Sequence, residues 1–153
     1  MPTEPPCQPP DAPPFRLSIR VPSDVAVAAA LTRRFAREAG LAAAGSAEVA
    51  VVVSELASNL IRHTRSGGTV DLWVDAEWLW IRAWDDGPGM VEPERLFAGR
   101  DGRPGPLPGE SLGEGGAAVR RLTDAVRVTN RVGGGLEVVA RKRLTPPGER
   151  RLF

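Results

Sequence analysis

The sequence predicts an α+β domain, a two-layer sandwich whose mixed, mostly antiparallel sheet carries helices on one face. Three observations predict it. Phe15-Arg16-Leu17-Ser18-Ile19-Arg20-Val21 alternates apolar and polar residues, the period of a half-buried strand. Further on, Val49, Val52, Val53, Leu56 and Leu60 recur at helical spacing and share one face. Residues 69–75 and 78–84 are then two apolar runs joined by a tight connection, as the partners of an antiparallel hairpin are.

The elements follow in order. Residues 1–14 hold seven of the fifteen prolines and read as a disordered or polyproline-like tail. Pro22 stops the first strand, Ser23 or Asp24 caps a helix over 24–39, and Gly40 ends it. Ser46 caps a second helix that runs to about Thr64, before the turn residues Ser66-Gly67-Gly68. Between Asp85 and Gly116 lie nine of the seventeen glycines and five prolines, too many for regular structure. A loop of that length is a functional lid or a disordered segment. Residues 117–124 read as a helix entered from a glycine run, and 125–131 and 136–143 as strands joined by Gly133-Gly134-Gly135. The organisation expected is a tail at 1–14, a domain at 15–143 and a basic tail at 144–153.

Composition excludes several classes of chemistry. At 153 residues the chain is one domain's worth, able to bury roughly two-thirds of its unfolded surface. A net charge of +1 gives no general attraction to nucleic acid or to a membrane, although residues 1–14 carry −2 and 141–153 carry +4. Cys7, the one cysteine, lies in the proline-rich tail, so neither a disulfide framework nor a thiolate metal site is available. No apolar run reaches bilayer-spanning length and no signal peptide is visible, so a cytoplasmic protein is expected. Lys142 is the only lysine, against nineteen arginines. A Walker A loop, or a kinase strand lysine on the phosphates, therefore cannot be built. A nucleotide must be held by backbone N–H groups, a metal ion, carboxylates and arginines.

Three short stretches carry the remaining chemistry. In Ser54-Glu55-Leu56-Ala57-Ser58-Asn59, Glu55 and Asn59 stand one turn apart on the flank of the apolar stripe. The carboxylate can take a proton from a hydroxyl or orient a water, and the amide oxygen is a hard ligand suited to Mg²⁺. Taken alone the pair reads as a surface Glu and a tolerated helical Asn. His63, one turn on, can face a phosphate or satisfy the last helix carbonyls. Asp85-Asp86-Gly87-Pro88-Gly89-Met90 follows a hydrophobic strand, so Asp85 is a carboxylate at a buried strand end. The exocyclic amine of adenine can supply the donor it needs, and the glycines let backbone approach a flat base. These residues are also ordinary turn formers. Gly113-Glu114-Gly115-Gly116 opens a helix, where free N–H groups favour an anion, or it is a mobile glycine loop.

The order of these stretches resembles the GHKL ATPase superfamily, whose Bergerat fold is shared by gyrase and the histidine kinases. Within it, size and local wording are most similar to the bacterial anti-sigma regulatory factor serine/threonine kinases. The resemblance covers about residues 15–143. Residues 54–63 match the family's N box, 85–90 its first glycine box, and 112–124 its second, with a flavour of the switch kinases that activate a phosphatase. It implies ATP and Mg²⁺ as cofactors. Glu55 becomes the general base toward the acceptor hydroxyl, Asn59 holds Mg²⁺ against the triphosphate, and His63 approaches the phosphates. Asp85 bonds the adenine amino group, Gly87, Gly89 and Met90 shape the base pocket, and Gly113, Gly115 and Gly116 wrap the phosphates. Three positions depart from the pattern. Ser111 stands where Gly often opens the second glycine box, Gly116 replaces a larger apolar residue, and Leu136 replaces a threonine facing the nucleotide.

The function this implies is an ATP-dependent serine/threonine protein kinase in a partner-switching pathway that controls transcription. Its partners are an antagonist protein carrying the acceptor hydroxyl and a sigma factor or regulatory phosphatase, with no direct nucleic acid and no membrane. Relatives are often homodimers. The departures motivate an alternative, a nucleotide-gated protein-binding module with little catalysis. A third reading, the detached ATP-binding half of a sensor histidine kinase, lacks a helical dimerisation segment, and the sole histidine sits inside the binding motif.

Overall fold

The computed structural model describes residues 8–64, 66–89, 93 and 112–144. In chain order these form β1 (Phe15–Ile19), α1 (Pro22–Glu38), α2 (Ala43–His63), β2 (Gly68–Val74), β3 (Trp78–Trp84), α3 (Leu112–Leu122), β4 (Ala125–Asn130) and β5 (Leu136–Arg143). The five strands make one sheet in the order β1-β2-β3-β5-β4, and every pairing is antiparallel. The sheet expected as mixed is thus antiparallel throughout the described strands. Two of the pairings, β2–β3 and β4–β5, are hairpins and antiparallel for that reason, while β1–β2 and β3–β5 pair across longer excursions of the chain.

The core forms where one sheet face meets the helices. Ile19, Val70, Leu72, Leu79, Ile81, Ala83, Val138 and Ala140 point to that face. Val49, Val52, Val53, Leu56 and Leu60 of α2 bury against them, as their spacing predicts. Burying side chains of this size stabilises the fold by about 1.5–3 kcal/mol each. By length and composition α2 would also suffice to cross a bilayer, contrary to the expectation that no run reaches that length. It lies instead in the core, its apolar side against the sheet.

Helix boundaries differ from those expected. Pro22 begins α1 rather than preceding it, because the first turn needs no N–H from that residue. Asp24 then reaches back, its Oδ2 accepting hydrogen bonds from the N–H groups of Arg20 (2.8 Å) and Val21 (3.1 Å). Ser46 does not cap α2, which starts at Ala43; it lies buried inside the helix, its hydroxyl donating to the Leu41 carbonyl at 3.4 Å. The helix α3 begins at Leu112, so the glycine run forms its first turns instead of leading into it. Glycine costs about 1 kcal/mol per helical position. Here the burial of Gly116 and Val119, where α3 packs on α2, offsets that cost.

The opposite sheet face carries all four tryptophans. Trp73 and Trp80 stack with ring centroids 6.0 Å apart, and Val139 completes a small second core. Asp71, fully buried, accepts from Arg16 Nε (2.7 Å) and Nη2 (3.0 Å), Arg82 Nη1 (3.3 Å) and Trp84 Nε1 (3.0 Å), tying β1, β2 and β3 together. At the β2–β3 turn, Asp75 Oδ1 accepts from the N–H groups of Glu77 and Trp78, and its Oδ2 from Trp80 Nε1. Burial alone pushes the Asp75 carboxyl upward, but these donors and the nearby Arg141 charge outweigh it and hold it below the ordinary value of 3.8.

Two predictions follow from these contacts. Leu56→Ala should lower unfolding free energy by about 2–5 kcal/mol in a denaturant titration. Val51→Ala, on the 43% exposed side of the same helix, should change it by no more than about 0.5 kcal/mol. Because the folded Asp75 carboxyl is depressed, its stabilisation is present above pH 3.8 and is lost as pH falls through the folded value. The melting-temperature gap between wild type and Asp75→Asn should therefore be widest near neutrality and shrink below pH 3.8.

Candidate functional site

The sequence puts Asp85 one residue beyond β3, and its backbone is gripped from several sides. Its N–H donates to the Leu136 carbonyl at 3.1 Å, extending the β3–β5 pairing by one bond. Its carbonyl accepts from Arg131 Nη1 at 2.8 Å. The side chain is 6% exposed. Its Oδ1 accepts from the Gly87 N–H at 2.7 Å, closing the turn on itself. Its Oδ2 takes no hydrogen bond from the described residues, leaving an acceptor at the margin of the core.

Glycine is required where neighbouring segments meet this strand end. A Cβ on Gly135 would stand 1.8 Å from the Asp85 carbonyl oxygen, and the residue has φ +97°. On Gly68, a Cβ would lie 2.4 Å from the Trp84 carbonyl oxygen and 2.7 Å from Leu60 Cδ2, so the last turn of α2 lies directly on this part of the sheet. The turn lies beside the same helix end, since a Cβ added to Gly87 would be 4.0 Å from Thr64 Cγ2. Thr64 caps α2 and its hydroxyl lies 2.8 Å from the Leu60 carbonyl and 2.9 Å from that of Gly67, donating to one at a time. The two motifs noted in the sequence thus meet at the end of α2.

Back along α2 from that contact, Glu55 and Asn59 are half-buried on its flank. The Glu55 carboxylate has no hydrogen-bond partner among the described residues. Asn59 Oδ1 accepts from Arg62 Nη2 at 3.2 Å, which occupies one of its two lone pairs. His63, the last residue of α2, is exposed. Gly89 has φ +80° and packs on Asn130, whose Oδ1 would be 2.3 Å from an added Cβ. Met90 lies outside the described residues, as does most of the expected lid. Gly113, Gly115 and Gly116 lie in the first turns of α3. Among the described residues no group of three or more His, Cys, Asp and Glu could hold a metal. An ion here would need oxygens from its own ligand and water beside Asn59 Oδ1, which suits Mg²⁺ carried on a phosphate chain.

Several residues at the site were not singled out from the sequence. Trp84 at the end of β3, Thr64 at the end of α2, and the adjacent Asn130 and Arg131 at the end of β4 reach it from three segments. The sole lysine is spent elsewhere: Lys142 Nζ donates to the Leu122 carbonyl and pairs with Glu48, both at 2.9 Å, locking α3 and α2 to β5.

Gly135→Ala should force the Asp85 turn to shift. The expected cost is at least about 1–3 kcal/mol of stability, read as a lower melting temperature, whereas Gly133→Ala, with open space around its Cβ position, should cost less.

Comparison with known proteins agrees with this fold. The family model described as a histidine kinase-like ATPase domain matches residues 21–142. Among solved structures, full-length ShkA in complex with AMPPNP superposes with a TM-score of 0.51 at 23% identity, covering 85% of this chain and 31% of that one. The chain therefore spans about a third of that protein. The catalytic domain of histidine kinase ThkA, in a nucleotide-free form, superposes with a TM-score of 0.53 at 14% identity, covering 86% of this chain and 99% of that domain. At these identities the two structures speak for the fold alone. No curated protein sequence matches. By the family match over most of its length, the chain belongs to the histidine kinase-like ATPase domains of the GHKL superfamily.

Proposed function

We propose that this chain is an ATP-dependent serine/threonine protein kinase that phosphorylates a small antagonist protein in a cytoplasmic partner-switching pathway regulating a sigma factor or a phosphatase. The family supports ATP as the ligand, and the bound AMPPNP of the structural neighbour ShkA accords with it. The observation that carries the reading is the meeting of the α2 end with the Asp85 turn. It brings the Asp85 turn, whose Oδ2 takes no hydrogen bond from the described residues, to the end of the helix that carries Glu55, a carboxylate without a hydrogen-bond partner among the described residues.

In this reading Asp85 selects the base. The first-turn N–H groups of α3, with Gly113, Gly115 and Gly116, receive the phosphates. Asn59 Oδ1 and Arg62 face the triphosphate; bound Mg²⁺ would neutralise its charge, with Asn59 as a ligand. Glu55 takes the proton from the acceptor hydroxyl as its oxygen attacks the γ-phosphorus, and the bond from that phosphorus to the bridging oxygen breaks to release ADP. His63 is exposed at the end of α2 and free to approach a phosphate.

A second reading, a nucleotide-gated binding module, is favoured by two observations. Arg62 already engages the amide oxygen intended for the metal, and Leu136 packs into the core where a threonine would offer a hydroxyl. One experiment separates the two. Purified protein is given ATP, Mg²⁺ and the antagonist captured from its host, and phosphate transfer is followed by mass spectrometry. The kinase reading expects Glu55→Ala to lose transfer by at least about a hundredfold while retaining nucleotide affinity. Transfer by Glu55→Ala at the wild-type rate would overturn the mechanism, and no transfer by the wild type would favour the binding module.

A further inference from the structure

Arg131 stands at the first residue after β4, forty-six residues from Asp85 in sequence, and its guanidinium reaches the nucleotide-site turn. Nη1 donates to the Asp85 carbonyl at 2.8 Å and to Asp86 Oδ1 at 2.6 Å, with the Gly134 carbonyl at 3.4 Å. The same guanidinium lies over the Trp84 ring, 4.4 Å from its centroid. Trp84 is itself fixed, its Nε1 donating to fully buried Asp71 and Arg82 stacking 4.8 Å from its ring. Arg131 is mostly buried, with 23% of its side chain exposed, whereas Asp86 is 83% exposed. This is not an exposed ion pair of little worth. It is a planar cation held on an aromatic platform with its donors aimed at one turn.

The hairpin supports the same geometry from behind. The Arg131 N–H donates to the Gly135 carbonyl at 2.8 Å, and the Gly134 N–H to the Arg131 carbonyl at 3.1 Å. Gly135 packs against the Asp85 carbonyl with no room for a Cβ. The β4–β5 hairpin and the Asp85 turn are therefore one unit, and Arg131 is the only described side chain that hydrogen-bonds both the backbone of Asp85 and the side chain of Asp86.

We infer that Arg131 is a positioning residue for adenine recognition. Stacked on Trp84, it fixes the Asp85 turn so that Oδ2 meets the exocyclic amine, and it makes no contact with the reacting atoms. The inference rests on the nucleotide reading above and names the residue that sets its base selectivity. Without Arg131 the turn still forms, through the Gly87 N–H and the Leu136 carbonyl, but the Asp85 backbone and the Asp86 side chain lose the donor that fixes where the turn sits.

The test measures ATP and inosine triphosphate binding by calorimetry, with wild type, Arg131→Ala and Arg131→Lys, alongside melting temperatures without nucleotide. Inosine triphosphate lacks the exocyclic amine. The wild type should prefer ATP by at least about tenfold, the worth of one hydrogen bond to a charged group. Arg131→Ala should lose most of that preference, through weaker ATP binding with inosine triphosphate binding little changed. Arg131→Lys should recover part of it, since an ammonium can donate to the turn but lacks the flat guanidinium fork. Equal loss of affinity for both nucleotides would mean a merely structural role and overturn the inference. So would an unchanged preference in Arg131→Ala. A wild type that binds neither nucleotide would overturn the nucleotide reading itself, and a wild type that binds both equally would remove the role given to Asp85.

Discussion

Two segments close on the end of β3 because the positions that touch it carry no side chain. Gly68 lets the last turn of α2 descend onto the Trp84 carbonyl, and Gly135 lets the β4–β5 hairpin press against that of Asp85. Gly87 lies where even an added Cβ would stop 4.0 Å from Thr64, so the turn runs beside the end of α2 without pressing on it. The consequence is a carboxylate that is nearly buried yet, among the described residues, takes a hydrogen bond on only one oxygen. Burying a charged group without full pairing is costly. A ligand that brings a donor to the second oxygen would complete the bonding, which is the role the proposed reading gives to the amine of a flat base.

The helix α2 serves two purposes at once. Its apolar stripe supplies much of the core, and its flank carries Glu55, Asn59 and His63 at intervals of one turn. The stability of the stripe therefore fixes the positions of the flank. On the far face of the sheet, Asp71 gathers Arg16, Arg82 and Trp84 across three strands. That network holds Trp84, and Trp84 carries Arg131. Packing on the face opposite the helices thus reaches the site through a stacked guanidinium rather than through the core.

Much of this was legible in the sequence. The periods of two and 3.6 located all five strands and α2, because burial on one face dictates them. Asp85 could be assigned to a strand end because an apolar run stops there. Helix starts were less legible: Pro22 suits the first helical position as well as the residue before it, while Ser46 and the 113–116 glycines obey tertiary packing before local propensity. For α2, capping chemistry pointed to Ser46, while the helix gained a further turn by starting at Ala43. The residues that could not be found from the sequence were Asp71 and Arg131. Their partners lie up to 55 residues away, across strands whose register is unknown until the sheet is assembled. The triple glycine marked a hairpin, but nothing local said that Gly135 would meet Asp85.

The most direct measurement is calorimetric binding of ATP and inosine triphosphate to the Asp85→Asn variant, compared with the unaltered chain. Replacing the carboxylate by a carboxamide keeps the shape, removes the charge-assisted acceptor and adds a donor suited to the inosine 6-oxo group. If Asp85 reads the exocyclic amine, the preference for ATP should collapse or reverse in the variant while the melting temperature without nucleotide stays close to that of the wild type. An undiminished preference for ATP in Asp85→Asn would contradict the assignment of this strand end as the base-reading element.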